Sequence, residues 1–172
     1  MENCRKNCGN FLGKIEFRPM KATEYPLLSD FLYEAIFLPP GVTPPPREVV
    51  ELPELQPYIV DFGKDGDFCM CAVQGTRVIG AVWCRYLQGY GSVEGMPELA
   101  VSLLPSFRGK GIGTVLLVKF LEEIQKRNLP GISLSVQKEN PAHRLYERLG
   151  FEIVEEQADT CLLYTSDDAD DM

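Results

Sequence analysis

The stretch Leu103–Thr114 reads L-L-P-S-F-R-G-K-G-I-G-T, a strand-like run entering a glycine-rich turn that opens a helix. Successive backbone N–H groups in such a turn, together with the helix N-terminus, form a cradle for an anion such as a pyrophosphate. Glycines let the backbone approach the phosphates closely. No G-x4-G-K-[ST] run is present, so this is not a P-loop. The spacing G-x-G-x-G deep in the chain is not the G-x-G-x-x-G of a first βαβ unit either. Taken alone, the run reads equally well as a purely structural tight turn.

Four other positions carry usable chemistry. Glu98 starts the strand before the loop, with Glu94 just upstream. Such a carboxylate can take a proton, meet a cationic substrate, or simply sit at a strand edge. Tyr146 carries a phenol but also falls on the apolar stripe Ala142, Leu145, Tyr146, Leu149, where a plain core role suffices. Asn140 is placed to cap the same helix. His143 is the only histidine, which excludes a multi-histidine metal site, and it reads as solvent-facing. Of six cysteines, Cys4 and Cys8 are spaced C-x3-C, and Cys69 and Cys71 alternate within a strand-like run that turns both to one face. They read as small buried side chains in a reducing compartment rather than as a zinc site.

The elements that must position these groups follow from periodicity. Lys14–Met20 reads as a strand. Thr23 then caps a helix bearing Leu27, Leu28, Phe31, Leu32, Ala35 and Ile36, which Pro39, Pro40 and Gly41 stop. Pro44–Pro46 opens a second helical region to about Phe62, interrupted by Pro53 and Pro57. Asp67–Val73 and Arg77–Tyr86 form a hairpin, a Gly89–Gly95 loop follows, and Glu98–Leu103 is the next strand. Thr114–Arg127 is a helix with Leu117, Phe120, Leu121 and Ile124 on its apolar face. Ile132–Val136 is a strand, Asn140 and Pro141 start a helix that Gly150 ends, and Phe151–Glu155 with Thr160–Tyr164 close as a hairpin. The order β-α-α-β-β-β-α-β-α-β-β describes a single α/β domain, a central mixed sheet with helices on both faces, over residues 14–165. Residues 1–13 read as a flexible N-terminal segment and 166–172 as a disordered acidic tail.

Composition narrows the function. At 172 residues the chain suits one domain. The net charge of −8 argues against phosphate-backbone binding and suits a cationic or amine partner. No apolar run reaches the ~20 residues of a transmembrane helix, and Met1–Gly9 lacks an apolar signal core. The expectation is a cytoplasmic protein with no metal, no nucleic acid and no membrane partner; a homodimer is left open.

Two blocks together resemble a known family. Arg108-Gly109-Lys110-Gly111-Ile112-Gly113 is similar to the R/Q-x-x-G-x-G/A pyrophosphate loop of the GNAT acetyltransferases. Asn140–Phe151, N-P-A-H-R-L-Y-E-R-L-G-F, resembles that family's second signature, in the same order and at the usual separation. The resemblance is specific over Glu98–Phe151 and follows the family's element order over Ile15–Tyr164. It implies acetyl-CoA as co-substrate and transfer of its acetyl group to a primary amine, on a small molecule or a peptide, in a ternary complex. An acyl-CoA-binding sensor without transferase activity is the alternative. By the same resemblance Val101, Ser102 and Leu103 hydrogen-bond the pantetheine arm, and Arg108, Gly109, Lys110, Gly111, Ile112, Gly113 and Thr114 hold the pyrophosphate. Asn140 contacts the cofactor arm, and Tyr146 lies near the sulfur as general acid. Glu98–Leu103 and Ile132–Val136 splay apart around the thioester. Where some members carry a glutamate this chain has Ser135, which leaves Glu98, with Glu94 second, as candidate base. The acceptor pocket would draw on Phe31, Tyr33, Phe37, Tyr58, Trp83 and Tyr90.

Overall fold

Phe68–Val73 and Val78–Cys84 are nearly unbroken apolar runs, the pattern of strands covered on both faces. They pair antiparallel across the Gly75–Thr76 turn, with a bulge between Ala72 and Val73. The computed structural model describes residues 14–87, 95–127, 129, 131–156 and 160–166, the last segment and 154–156 as backbone. The loop from Gly89 through Glu94, Tyr90, Pro130, the 1–13 segment and the 167–172 tail lie outside the described residues, as do Cys4 and Cys8.

Seven strands form one sheet: β1 (Ile15–Pro19), β2 (Phe68–Gln74), β3 (Arg77–Arg85), β4 (Glu98–Leu103), β5 (Gly131–Gln137), β6 (Glu152–Glu156) and β7 (Thr160–Ser166). Their order is β1-β2-β3-β4-β5-β7-β6, and every neighbouring pair is antiparallel except β4 with β5. Among the described residues three α-helices flank it: α1 (Leu28–Ala35), α2 (Ile112–Gln125) and α3 (His143–Arg148). On one face Ile112, Leu116, Leu117, Phe120 and Ile124 of α2 pack on Met70, Ile79 and Val82. On the other, Leu28, Phe31 and Leu32 of α1 pack on Cys69, Cys71, Ala81 and Trp83. The chain is thus a single α/β unit with a mixed sheet covered on both faces. Cys69 and Cys71 do share a face, buried as free thiols.

Three expectations need correction. The second helical region is two 3₁₀ turns, Arg47–Glu51 and Gln56–Tyr58, so one α-helix precedes β2 rather than two. Pro53 and Pro57 lack an N–H to continue a helical ladder, and Leu52, before Pro53, is extended (ψ 144°), which leaves only short turns. Thr23 is not a cap: a 3₁₀ turn, Ala22–Leu27, leads into α1, and Glu24 Oε1 accepts from Lys21 N–H (2.8 Å) while its carboxylate pairs with Arg18. Asn140 does not cap α3 directly. Its Oδ1 accepts from Ala142 N–H (2.9 Å), which closes a turn, and the helix begins at His143.

Candidate functional site

β4 and β5 meet at one point. Glu98 is opposite Ser133, with Ser133 N–H donating to Pro97 O at 2.9 Å, and no further rung follows. Leu104 N–H donates to Ile79 O (2.9 Å), away from β5. Backbone groups alternate sides along a strand. The N–H and C=O of Val101 therefore point into the opening gap, where no strand takes them up. This is the splay that the resemblance implies. Ser102 faces the other layer, its hydroxyl donating to Phe31 O in α1 at 2.6 Å. Leu103 O is taken by Arg108 Nε at 3.2 Å.

The gap widens into a cavity of about 770 Å³. Val101 and Leu103 line one side of it and Leu134, Ser135, Val136 and Gln137 the other, with Asn140 and Tyr146 beside them. Ile36, Phe37, Leu38, Val49, Leu55 and Tyr58 form the remaining wall.

At the mouth, Gly109 (φ +74°) and Gly111 (φ +83°) both adopt left-handed conformations. A Cβ added at either would meet nothing within 4 Å, so the backbone of the turn faces open space. Gly111 is the N-cap of α2, no side chain caps that helix, and Val115 N–H to Gly111 O (3.2 Å) starts it. The first N–H groups of the helix therefore lack an intrahelical partner. Left-handed glycines, an uncapped helix start and empty space in front of them fit a pyrophosphate. Gly113 serves packing as well: its Cβ would lie 3.4 Å from Leu103 Cδ1. Ile112 is fully buried, whereas Lys110 and Thr114 are exposed. The Arg108 guanidinium is drawn elsewhere, to Glu34 Oε2 (2.8 Å) and Glu34 O (3.0 Å). With its bond to Leu103 O, Arg108 ties the loop to β4 and to the end of α1.

Glu98 is buried at the base of the splay, 4% exposed. The Tyr58 hydroxyl donates to its Oε2, and Ser135 Oγ lies 3.5 Å from Oε1. Both hydroxyl residues belong to the cavity wall, and Glu98 stands behind them. Burial raises its carboxyl above the usual carboxylate range, only partly offset by the two hydroxyls. Tyr58 is held in turn by its own carbonyl, which accepts from Trp83 Nε1 at 3.0 Å. Arg85 donates to Pro57 O (3.2 Å) and Val60 O (2.7 Å) while paired with buried Asp67 at 3.0 Å. A buried, fully bonded ion pair of this kind fixes geometry, here that of the turn aiming Tyr58 at Glu98.

Tyr146 is buried with its ring edge-on to Phe151, centroids 5.9 Å apart. Burial pushes its phenol up to about 12, so it is protonated throughout the neutral range. Asn140, in the turn before α3, also lines the cavity. His143 is set aside from this group, its Nδ1 3.7 Å from Glu147 Oε1. Phe31 and Trp83 are core rather than pocket, and Tyr33 bonds Pro45 O at 2.6 Å, so of the aromatics named from sequence Phe37 and Tyr58 line the cavity. Sequence reasoning missed the Tyr58–Glu98 contact and the Arg108–Glu34 strut. Both join segments 40 and 74 residues apart, and no local spacing encodes them. Among the described residues, no group of three or more His, Cys, Asp or Glu is placed to hold a metal ion, and no helix is long and apolar enough to cross a membrane.

A model of the acetyltransferase (GNAT) family matches residues 31–151. A mycothiol acetyltransferase of Thermobifida fusca is 34% identical over 99 residues, 55% of this chain and 31% of its own length. A [ribosomal protein bS18]-alanine N-acetyltransferase of Haemophilus influenzae is 25% identical over 83 residues, 48% of this chain and 53% of its own. The chain thus spans about a third to a half of these curated relatives. Among solved structures, the PaiA N-acetyltransferase of Thermoplasma acidophilum in complex with coenzyme A superposes with a TM-score of 0.63 at 17% identity, over 88% of this chain and 98% of that one. At that identity the likeness speaks for the fold.

Proposed function

This chain belongs to the GNAT acetyltransferase family, and on that premise we propose that it transfers the acetyl group of acetyl-CoA to a primary amine. The observation that carries the reading is the unpaired edge of β4 at Val101, running from the splay into the left-handed glycine turn at Gly109 and Gly111. A sheet-like edge suits the amide groups of a pantetheine arm, and the turn suits the pyrophosphate. The match with N-acetyltransferase relatives and a coenzyme A-bound structural neighbour supports the same reading.

Acetyl-CoA supplies an acyl thioester. The amine nitrogen forms a bond to the acyl carbon, the C–S bond breaks, the amine loses one proton, and the sulfur gains one. Holding both reactants in one cavity supplies proximity. Glu98 accepts the amine proton through the Ser135 hydroxyl, which gives its own proton to Oε1 as it receives one. Tyr146 donates to the departing sulfur. Calorimetry with acetyl-CoA, together with an assay of CoA release over a panel of amines, tests this. Binding that weakens with salt is expected, because the ligand is polyanionic. A rate rising with pH toward the amine's own pKa is expected too. Absence of binding at millimolar acetyl-CoA overturns the reading.

Glu98 makes a two-sided prediction. Its carboxyl is raised, so the native protein holds this proton to higher pH than the unfolded chain does. Its contribution to stability is fully present below the unfolded pKa and is lost as pH rises through the folded one. Glu98→Gln keeps the shape and the hydroxyl partners and removes the charge. It is expected to raise the melting temperature at neutral pH, to cut kcat about 10²-fold or more, and to leave the amine's own ionisation as the sole source of the acidic limb of the rate profile. A variant with native kcat and an unchanged acidic limb leaves Glu98 without a catalytic role.

A further inference from the structure

We propose that the amine taken by this site is a monocation on an apolar body: the amino group enters at Tyr58 and Ser135, and an uncharged hydrocarbon or aromatic group fills the space beneath α1. The inference rests on the transferase reading above and adds the class of acceptor to it.

The cavity divides by chemistry. Its cofactor end is bordered by Val101, Gln137, Asn140 and Tyr146. The end beneath α1 is walled by Leu32, Ile36, Phe37, Leu38, Val49 and Leu55. Several of these are only half-buried, and Leu38 is 37% exposed, so the wall presents apolar surface that a ligand can cover. Among the described residues the one carboxylate lining the cavity is Glu34, and it is already paired with Arg108. Among the described residues the other carboxylate at hand is Glu98, behind Tyr58 and Ser135, with two hydroxyl partners and no cation against it. It supplies one negative charge at one point. An ammonium entering there meets two hydroxyl oxygens and the field of Glu98. A second ammonium a few bonds away would lie against leucine, isoleucine and valine, where an unpaired charge is costly to desolvate. A hydrocarbon of the same length would gain from burial at the same place.

Hexylamine and cadaverine make a matched pair: both have seven heavy atoms in a row, and they differ by a terminal methyl against a second ammonium. A short peptide beginning with leucine against the same peptide beginning with aspartate makes a second pair, and distinguishes a peptide source of the amine from a free small molecule. The measurement is kcat/KM by CoA release with the full chain and saturating acetyl-CoA. Hexylamine is expected to exceed cadaverine by at least about tenfold, the scale of discrimination that a hydrophobic pocket gives. If the acceptor is a peptide terminus, leucine exceeds aspartate likewise. Val49→Asp adds a carboxylate to the wall and is expected to narrow or reverse the cadaverine deficit. Leu55→Asp replaces it in the test should that variant not fold, folding being read from melting temperature and acetyl-CoA affinity. A preference in either matched pair supports the proposal. Turnover in which cadaverine equals or exceeds hexylamine, and aspartate equals or exceeds leucine, overturns the specificity and leaves the transferase reading standing. No CoA release with any amine overturns both.

Discussion

Gly111→Glu is expected to abolish acetyl-CoA binding by a protein that still folds. Gly111 sits at φ +83° at the start of α2, and the direction in which its Cβ would point is open. That space is where the anion belongs on the present reading. A glutamate there projects a carboxylate into the cradle and directs its charge at the incoming pyrophosphate. Two unit charges 4 Å apart repel by about 4 kcal/mol at an effective dielectric constant of about 20. That corresponds to roughly a thousandfold in affinity. The left-handed backbone adds a separate cost of about 1 kcal/mol to stability, which any non-glycine residue incurs. Gly111→Ala separates the two effects. It carries the backbone strain without the charge, and is expected to lower the melting temperature by about 2–4 °C for a chain of this size. Its methyl crowds the cradle without adding charge, so its affinity for acetyl-CoA should fall far less than that of the glutamate variant. Calorimetry on the two variants reads both terms. A glutamate variant that binds within tenfold of native places the pyrophosphate elsewhere.

That contrast also shows what the sequence makes legible. The glycine turn could be read because left-handed conformations and close anion approach both demand glycine at fixed local spacing, and a helix start follows within two residues. The hairpin of β2 and β3, the strand β4 and the helix α2 were legible for the same reason: each is a continuous run with its own period. The splay between β4 and β5 was legible only through the resemblance, since a missing ladder leaves no local trace. What escaped was carried by irregular backbone and distant partners. Tyr58 ends a three-residue 3₁₀ turn that contains Pro57, where side-chain direction has no period to follow. Trp83 and Arg85, two strand residues whose side chains donate to the backbone carbonyls of the turn, help fix that direction. The resemblance places Arg108 in the pyrophosphate loop, at the first position of its motif. Its guanidinium is braced against Glu34, a residue whose place at the end of α1 no pattern near the loop encodes. The two proline-interrupted turns are a third case. The sequence reads as a helical region from Pro44–Pro46 to about Phe62 interrupted by Pro53 and Pro57, and the structure keeps only short 3₁₀ turns there.

Tyr146→Phe is expected to lower kcat by about 10²–10⁴-fold, the usual worth of a positioned general acid, with acetyl-CoA affinity nearly unchanged. The ring lies on the inner side of α3, against Phe151, and forms part of the cavity wall beside Asn140. A phenylalanine keeps the ring, its packing and its edge-on contact, so stability should shift little. What it loses is one O–H, which has no hydrogen-bond partner among the described residues and is therefore available to a ligand. With its pKa pushed up to about 12 by burial, the phenol holds its proton at every pH where the amine reacts. A free thiol has a pKa of about 8.5. Full transfer from a phenol near 12 to such a thiolate runs uphill, so the hydroxyl acts mainly by hydrogen-bonding charge that develops on sulfur as the C–S bond breaks. Such an interaction grows in the transition state and is nearly absent from the ground state, which is why kcat falls while affinity does not. The leaving group supplies a second check. A thioester whose thiol is more acidic needs less help, so the loss on Tyr146→Phe should shrink with such a substrate analogue. A phenylalanine variant with near-native kcat would make Tyr146 a wall and core residue, and the thiolate would then take its proton from solvent.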